Sequence, residues 1–361
     1  MSTATKTPQP IVNVYSAGRL PRFTPIMVLA GSFLLSSIAF ALIAAASPDG
    51  EFNLVAVLVV TAVLYTIITY VGSRLVEGPR RAADRLVTTL VVGAFLIAML
   101  PLVSLVITVI SQGSGRIDLD FFTLSMRNVL GEGGGAAHAI IGTLMMTGVA
   151  TLISVPIGLM TSIYLVEYGR GRLAQAITFL VDVMTGIPSI VAGLFAFALF
   201  ELLLGPGTRV GLSGAIALTV LMLPVVVRSS EEILRLVPNE LREASYALGV
   251  PKWLTILKVV VPTSIAGIST GVMLSIARVI GETAPLLIAA GFSNNFNFSL
   301  TDGRMQSLPV YVYYSYISQG TDFAPYIERA WAGALTLIAI VMALNLIARL
   351  IARIFAPKLG R

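Results

Sequence analysis

Residues 239–262 read NELREASYALGVPKWLTILKVVVP, a polar and charged stretch with apolar runs on both sides. Placed between two apolar runs, it is a loop joining two membrane spans. Its composition predicts two short helices rather than a floppy connector. Asn239 is a good N-cap residue, and Glu240 and Glu243 fall in the first turn, near the positive end of the helix dipole. Gly249 suits the residue just past a helix end. Pro251 suits the first turn of a second helix, 251–261. A helix–Gly–helix unit on one face of a membrane protein has the shape of a docking element.

The rest of the chain supports that setting. Of its 361 residues, 56% are hydrophobic and only 12% charged, against roughly 25% charged in soluble domains. Mean hydropathy is +0.90. Eight apolar runs approach or exceed the ~20 residues needed to cross a bilayer: 26–46, 53–73, 86–110, 138–166, 174–203, 212–228, 264–291 and 331–352. The expected fold is therefore all-α, a polytopic membrane helix bundle.

The net charge of +6 is an orientation signal rather than a nucleic-acid footprint. With both termini in the cytoplasm, the inner segments hold 18 Lys and Arg. The outer segments hold 5, namely Arg116, Arg127, Arg209, Arg304 and Arg329, and Arg278 lies within a span. The positive-inside rule favours this arrangement and puts residues 239–262 on the cytoplasmic face. The first run ends in Ala44-Ala45-Ala46-Ser47, which looks like a signal-peptidase site. It is longer than a signal peptide's apolar core and is preceded by about twenty-five residues, so it reads as an uncleaved anchor.

Several classes of chemistry are excluded. There is no Cys, hence no disulfide or thiolate site, and the single His138 cannot form a His-pair metal centre. His138 also has no evident partner in sequence. The Gly-rich stretch Gly131–Gly135 lacks the phosphate-loop pattern, which occurs nowhere in the chain. The protein thus has no recognisable ATP site of its own. Met145, Met146, Met184 and Met222 read as packing.

The chain divides into a polar tail (1–25), a two-span hairpin with an Arg-rich linker (26–85) and a six-span region (86–361) carrying the loop 229–262. The hairpin closes through Ser47-Pro48-Asp49-Gly50, a turn sequence, and holds almost no polar side chains suited to transport. Residues 117–124 suggest a short interfacial helix. The fifth span is interrupted by Thr185-Gly186-Ile187-Pro188-Ser189, either a packing kink or a broken helix lining a path.

The seventh span carries Arg278 and Glu282, charges that are expensive at bilayer depth and usually face a cavity or partner. Spaced i, i+4, they are expected on one helix face, continued by Ser275, Gly271 and Gly267. One reading is an ion pair locking helices or subunits. The other is an anion relay, because Arg offers a planar fork matched to a tetrahedral oxyanion. Arg228, closing the sixth span, is either a boundary anchor or part of the path's inner end, with Glu231 or Glu232 as possible partners. Trp253 is an interface anchor or part of the docking surface.

The loop resembles the EAA loop of ABC-importer permeases, here Glu243-Ala244-Ser245, then Gly249, then Val259-x-Val261-Pro262. Further segments, from about residue 86 to 355, resemble the PstA-type permeases of phosphate importers. They are Gly142-Thr143-Leu144, Val155-Pro156-Ile157-Gly158, Ile163–Tyr168, Gly186–Val191 and, most discriminating, Ala277-Arg278-Val279-Ile280-Gly281-Glu282-Thr283-Ala284-Pro285-Leu286-Leu287. The extra hairpin is a departure from the six-span pattern.

That resemblance implies a type I importer permease of a bacterial inner membrane, taking inorganic phosphate by alternating access. It implies a PstC-type partner permease, two cytoplasmic ATPase subunits holding the ATP and Mg, and an external phosphate-binding protein. No cofactor is expected on this chain itself. Arg278, Glu282 and Arg228 match the family's pathway residues, and Glu240, Glu243, Ala244, Gly249 and Pro262 fall in its coupling element. The alternatives are a permease for sulfate or molybdate, or a membrane scaffold or signalling subunit without flux.

Overall fold

The computed structural model describes residues 18, 20–46 and 52–355, and every regular element among them is helical. The chain forms two compact units, residues 1–106 and 107–361, with the boundary inside one long helix. The turn expected at Ser47–Gly50 and most of the tail lie outside the described residues.

The first unit contains α1 (Thr24–Ala46), α2 (Leu54–Val76) and the beginning of α3 (Pro79–Gly113). Asn53 caps α2, its Oδ1 accepting the Ala56 N–H at 2.9 Å, so the span begins where a side chain satisfies an otherwise orphaned donor. Packing here is inverted relative to a soluble hairpin. Only Ser32 and Ser36 of α1, and Val57, Thr61, Thr69 and Ser73 of α2, are buried. Phe33, Leu34, Leu58 and Val59 point outward. Small residues bring the helices together while large apolar ones meet lipid. The Ser36 and Thr61 hydroxyls donate to the carbonyls of Ser32 (2.8 Å) and Val57 (2.7 Å) within their own helices.

The second unit is organised around α8 (Gly211–Arg235), which packs against α5 (Ala137–Ile163), α6 (Arg172–Thr185), α7 (Ser189–Leu204), α11 (Val261–Val279) and α12 (Ala284–Ala289). The core lies among Met146, Ala150, Leu218, Met222, Val226, Ile276 and Leu286. Met146 and Met222 are indeed packing residues. α13 (Leu308–Ile317) and α14 (Ala324–Phe355) complete the bundle. By length and composition there are seven helices able to cross a membrane, or eight if one bent pair counts as a span.

That bent pair is α6 and α7, which meet at 107°. Pro188 has no N–H to donate and takes an extended ψ of 138°, while the residue before a proline avoids the helical region. A bend this sharp goes beyond a packing kink. The seventh span also differs from expectation. Residues 252–279 form one continuous run, with a π-helical stretch at Ile256–Val260, and α11 stops at Val279. The chain breaks at 280–283 and resumes as α12. Pro262, the second residue of α11, lies inside this run directly after the π-helical stretch, so it does not end the loop. The sixth span runs on to Arg235, and the eighth begins at Ala324.

At the end of the bundle opposite residues 236–251, the connections are fixed by buried polar groups. α4 (Leu119–Thr123) is capped by Asp118 and lies at the surface, with Leu119 and Phe122 exposed, anchored by Phe121 in a cluster with Ala139, Leu308 and Tyr311. Arg329, expected in an outer loop, is buried in α14 and donates to the carbonyls of Gly131 (2.5 Å) and Gly133 (3.0 Å). His138 does have a partner, Gln306 Oε1 at 3.0 Å, supplied by a segment 168 residues away.

Candidate coupling loop and anion path

The loop is folded and clamped. α9 (Asn239–Ala247) begins after Pro238, which occupies the cap position in place of Asn239. Asn239 is the first helical residue, and its Oδ1 accepts from Arg242 at 3.3 Å. Gly249 has φ +76°, and a Cβ there would meet no atom within 4 Å. Its requirement is therefore conformational, since only glycine enters the left-handed region without strain. Pro251 caps α10 (Lys252–Thr255) rather than opening it. The Ser245 and Thr255 hydroxyls, 2.8 Å apart and buried, tie the two short helices together.

Arg242 is the main clamp. Its guanidinium donates to the carbonyls of Val237 (2.6 Å) and Leu234 (3.1 Å), satisfying the end of α8, and to Glu167 Oε1 (2.9 Å). The Arg242 and Glu167 side chains are only 12% and 5% exposed. Glu167 lies in a π-helical turn, Tyr164–Tyr168, that ends α5. The Lys252 ammonium bonds to the Glu167 carbonyl and stands 4.7 Å over the Tyr168 ring. The opposite face is open: Glu240, Glu243, Ala244, Tyr246 and Trp253 are exposed, and Leu248 is 83% exposed. An apolar and acidic surface on a rigid mount is suited to docking. Trp253 is 61% exposed beside it.

The loop leads directly into the helix that carries Arg278. Along α11, Gly267 packs against Ile233 and Gly271 against Ser229 of α8, and Ser275 is buried. This stripe faces the bundle, as expected, but Arg278 in the last turn is exposed on the chain's surface. Glu282 is not on the same helix face, because the helix has ended. It sits half-buried in the break, its N–H donating to Val279 O at 3.1 Å. No ion pair joins Arg278 and Glu282 among the described residues, so the locking pair is not formed within this chain.

The two broken spans meet. Gly193 of α7 lies against Pro285 of α12, where an added Cβ would stand 2.6 Å from Pro285 Cα. Helices that follow breaks at 186–188 and 280–283 thus cross in direct backbone contact. Non-helical backbone at membrane depth is tolerated only where protein or a cavity covers it.

Arg228 is engaged on both sides. It pairs with Asp182 of α6 and with Glu231 Oε2 at 3.0 Å, and Glu231 Oε1 also holds Arg235 at 2.6 Å. Glu232 is exposed and makes no ion pair with a described residue. The network links α6 to α8, and an anion arriving at Arg228 must compete with two carboxylates.

Sequence reading did not single out Glu167, Arg242 or Asp182. Glu167 stands just beyond the run 138–166 and Arg242 within the polar loop, while Asp182 is a charge inside the run 174–203, itself a signal; their pairing depends on contacts 75 residues apart (Arg242–Glu167) and 46 apart (Arg228–Asp182). Among the described residues, no group of three or more His, Asp or Glu is placed to hold a metal ion.

A bundle with broken spans and a clamped, outward-facing helix–Gly–helix loop defines a transporter membrane subunit. The chain belongs to the family of binding-protein-dependent transport system inner membrane components, whose model matches residues 154–361. Within it, the chain is of the PstA type. It is 48% identical over 275 residues to "Phosphate transport system permease protein PstA 1" of Mycobacterium tuberculosis, covering 75% of this chain and 89% of that one. It is 40% identical to PstA of Pasteurella multocida, covering 77% and 96%. The fold is also similar to a chain of a bacterial alginate ABC transporter, solved with an alginate pentasaccharide-bound periplasmic protein. There the TM-score is 0.52 at 14% identity, over 80% of this chain and all of the other. The protein is a multi-pass inner-membrane permease subunit of an ABC importer complex.

Proposed function

We propose that this chain carries inorganic phosphate into the cytoplasm by alternating access, as one permease of an ATP-driven importer. The observation that carries the reading is the continuity of residues 252–279: one helical run starts in the clamped loop and ends at Arg278 beside the break holding Glu282. A push on the loop is thereby transmitted to the helix end that presents a guanidinium. Phosphate as cargo is supported by the names of the relatives and by the fork geometry of Arg278, which suits a tetrahedral oxyanion.

In this mechanism the exposed face of the loop, with Glu240, Glu243 and Ala244, docks on an ATPase subunit, and Gly249 sets the turn. Two such ATPases hold ATP and Mg, and this chain holds no cofactor. A PstC-type permease completes the path on the exposed side of Arg278, and an external binding protein delivers phosphate. Arg278 receives the anion, and Glu282 prevents its capture from becoming too tight. Arg228 accepts the anion at the inner end when the Asp182 contact opens. Pro262 lies in the turn where the lever becomes the spanning helix.

The test is competition in vesicles containing the whole importer. Labelled phosphate uptake is expected to be blocked by unlabelled phosphate and spared by equal sulfate or molybdate. Inhibition by either of those anions at equal concentration would move the assignment to that oxyanion. Unchanged flux in complexes lacking this chain would make it a scaffold.

A further inference from the structure

The first unit holds a cavity that the transport mechanism does not use. Its volume is about 540 Å³, within the roughly 300–1,000 Å³ of ordinary small-molecule pockets. The wall comprises Pro25 at the start of α1, Tyr65 and Thr69 on α2, and the Arg81, Asp84 and Arg85 face of α3. The cavity lies where two spanning helices are joined through Glu77 and Gly78, at a membrane boundary, the level occupied by lipid headgroups.

The floor is already satisfied. Glu77 accepts the Leu20 N–H (3.0 Å), the Ser73 hydroxyl (2.8 Å) and two bonds from Arg85 (2.7 and 2.9 Å). That leaves two lining charges unspent. Arg81 and Asp84 make no ion pair with any described residue, although they stand three apart on one helix. Residues so placed have Cβ atoms about 5–6 Å apart, comparable with the separation of the two charges across an ethanolamine phosphate. A ligand of one sign gains one of these partners and is repelled by the other. A zwitterion gains both.

We propose that this cavity binds the headgroup of a zwitterionic, amine-bearing phospholipid, with its phosphate on Arg81 and its ammonium on Asp84. A primary ammonium brings three N–H donors to the carboxylate, whereas a choline headgroup brings none. A glycerol headgroup leaves Asp84 facing a net negative ligand. Tyr65 supplies the aromatic side chain typical of this depth. Because both charges are solvent-exposed, the preference is modest, about two- to fivefold over the other headgroups, as for exposed ion pairs.

The experiment uses the purified complex containing the full chain. Binding of phosphatidylethanolamine, phosphatidylglycerol and phosphatidylcholine is measured by native mass spectrometry for the wild type, Asp84→Asn and Arg81→Gln. The expected result is a preference for phosphatidylethanolamine in the wild type, lost in Asp84→Asn, with Arg81→Gln weakening all three lipids. Neither side chain is ion-paired with a described residue, so neither substitution breaks an ion pair among them. Equal or tighter binding of phosphatidylglycerol by the wild type would overturn the proposal and indicate simple attraction to a basic linker. So would a preference that Asp84→Asn leaves untouched, binding of all three lipids that Arg81→Gln leaves unchanged, or the absence of any lipid preference.

Discussion

At Arg242 a single guanidinium closes the last turn of α8, holds α9 and neutralises a buried Glu167. Removing it leaves that carboxylate unpaired, a loss of about 3–5 kcal/mol for a buried pair broken on one side. Arg242→Met is expected to lower the melting temperature of the purified complex and to expose residues 236–251 to protease. Adding Glu167→Leu is expected to restore much of the loss, because the uncompensated charge is then gone. Glu77 makes a comparable node in the first unit. The hydrogen bonds of Arg85 hold its carboxyl down to about 2 from an ordinary 4.5, against the opposing effect of burial, with Leu20 and Ser73 assisting. An acid whose pKa is lowered by folding contributes stability fully above pH 4.5 and loses it as pH falls towards 2. Thermal melts over that acid range are expected to show a decline that Glu77→Gln flattens.

At the scale of elements, the two glycines that matter act for different reasons. Gly249 has room for a side chain but not the backbone angle, so Gly249→Ala is expected to cost about 1–2 kcal/mol through left-handed strain. Its signature is ATP hydrolysis that persists with reduced uptake, measured on reconstituted complexes, and a larger residue is expected to uncouple them further. Gly193 has an ordinary helical angle but no room. Gly193→Ala gains about 0.5–1 kcal/mol of helix propensity and meets about 1–3 kcal/mol of overpacking against Pro285. A net fall in melting temperature is expected.

These elements also show what was legible beforehand. The spans were, because length and hydropathy are nearly sufficient conditions for a helix in lipid. The helix–Gly–helix loop was, because Gly249 and Pro251 act locally. The end of the seventh span was not: an unbroken apolar run hid the stop after Val279, although Gly281 and Pro285 flank it. Nor was the start, because a proline reads as a boundary when it equally suits a first turn. The Arg242–Glu167 and Arg228–Asp182 pairs, and the His138–Gln306 bond, exist only through tertiary contact. No spacing in the sequence announces them.

At the scale of the whole molecule, one helical run has the exposed loop face at its beginning and a guanidinium near its end. Arg278 is exposed within this chain and free of any described carboxylate, so its loss leaves no buried charge behind and removes no packing contact of the bundle. Its role is therefore separable from folding. The most direct measurement is phosphate taken up per ATP hydrolysed in vesicles containing the complex with Arg278→Gln. The expected result is a complex assembled at normal yield that hydrolyses ATP and takes up no phosphate. Uptake at the wild-type rate, or a loss of uptake that only follows a loss of assembled complex, would contradict the account.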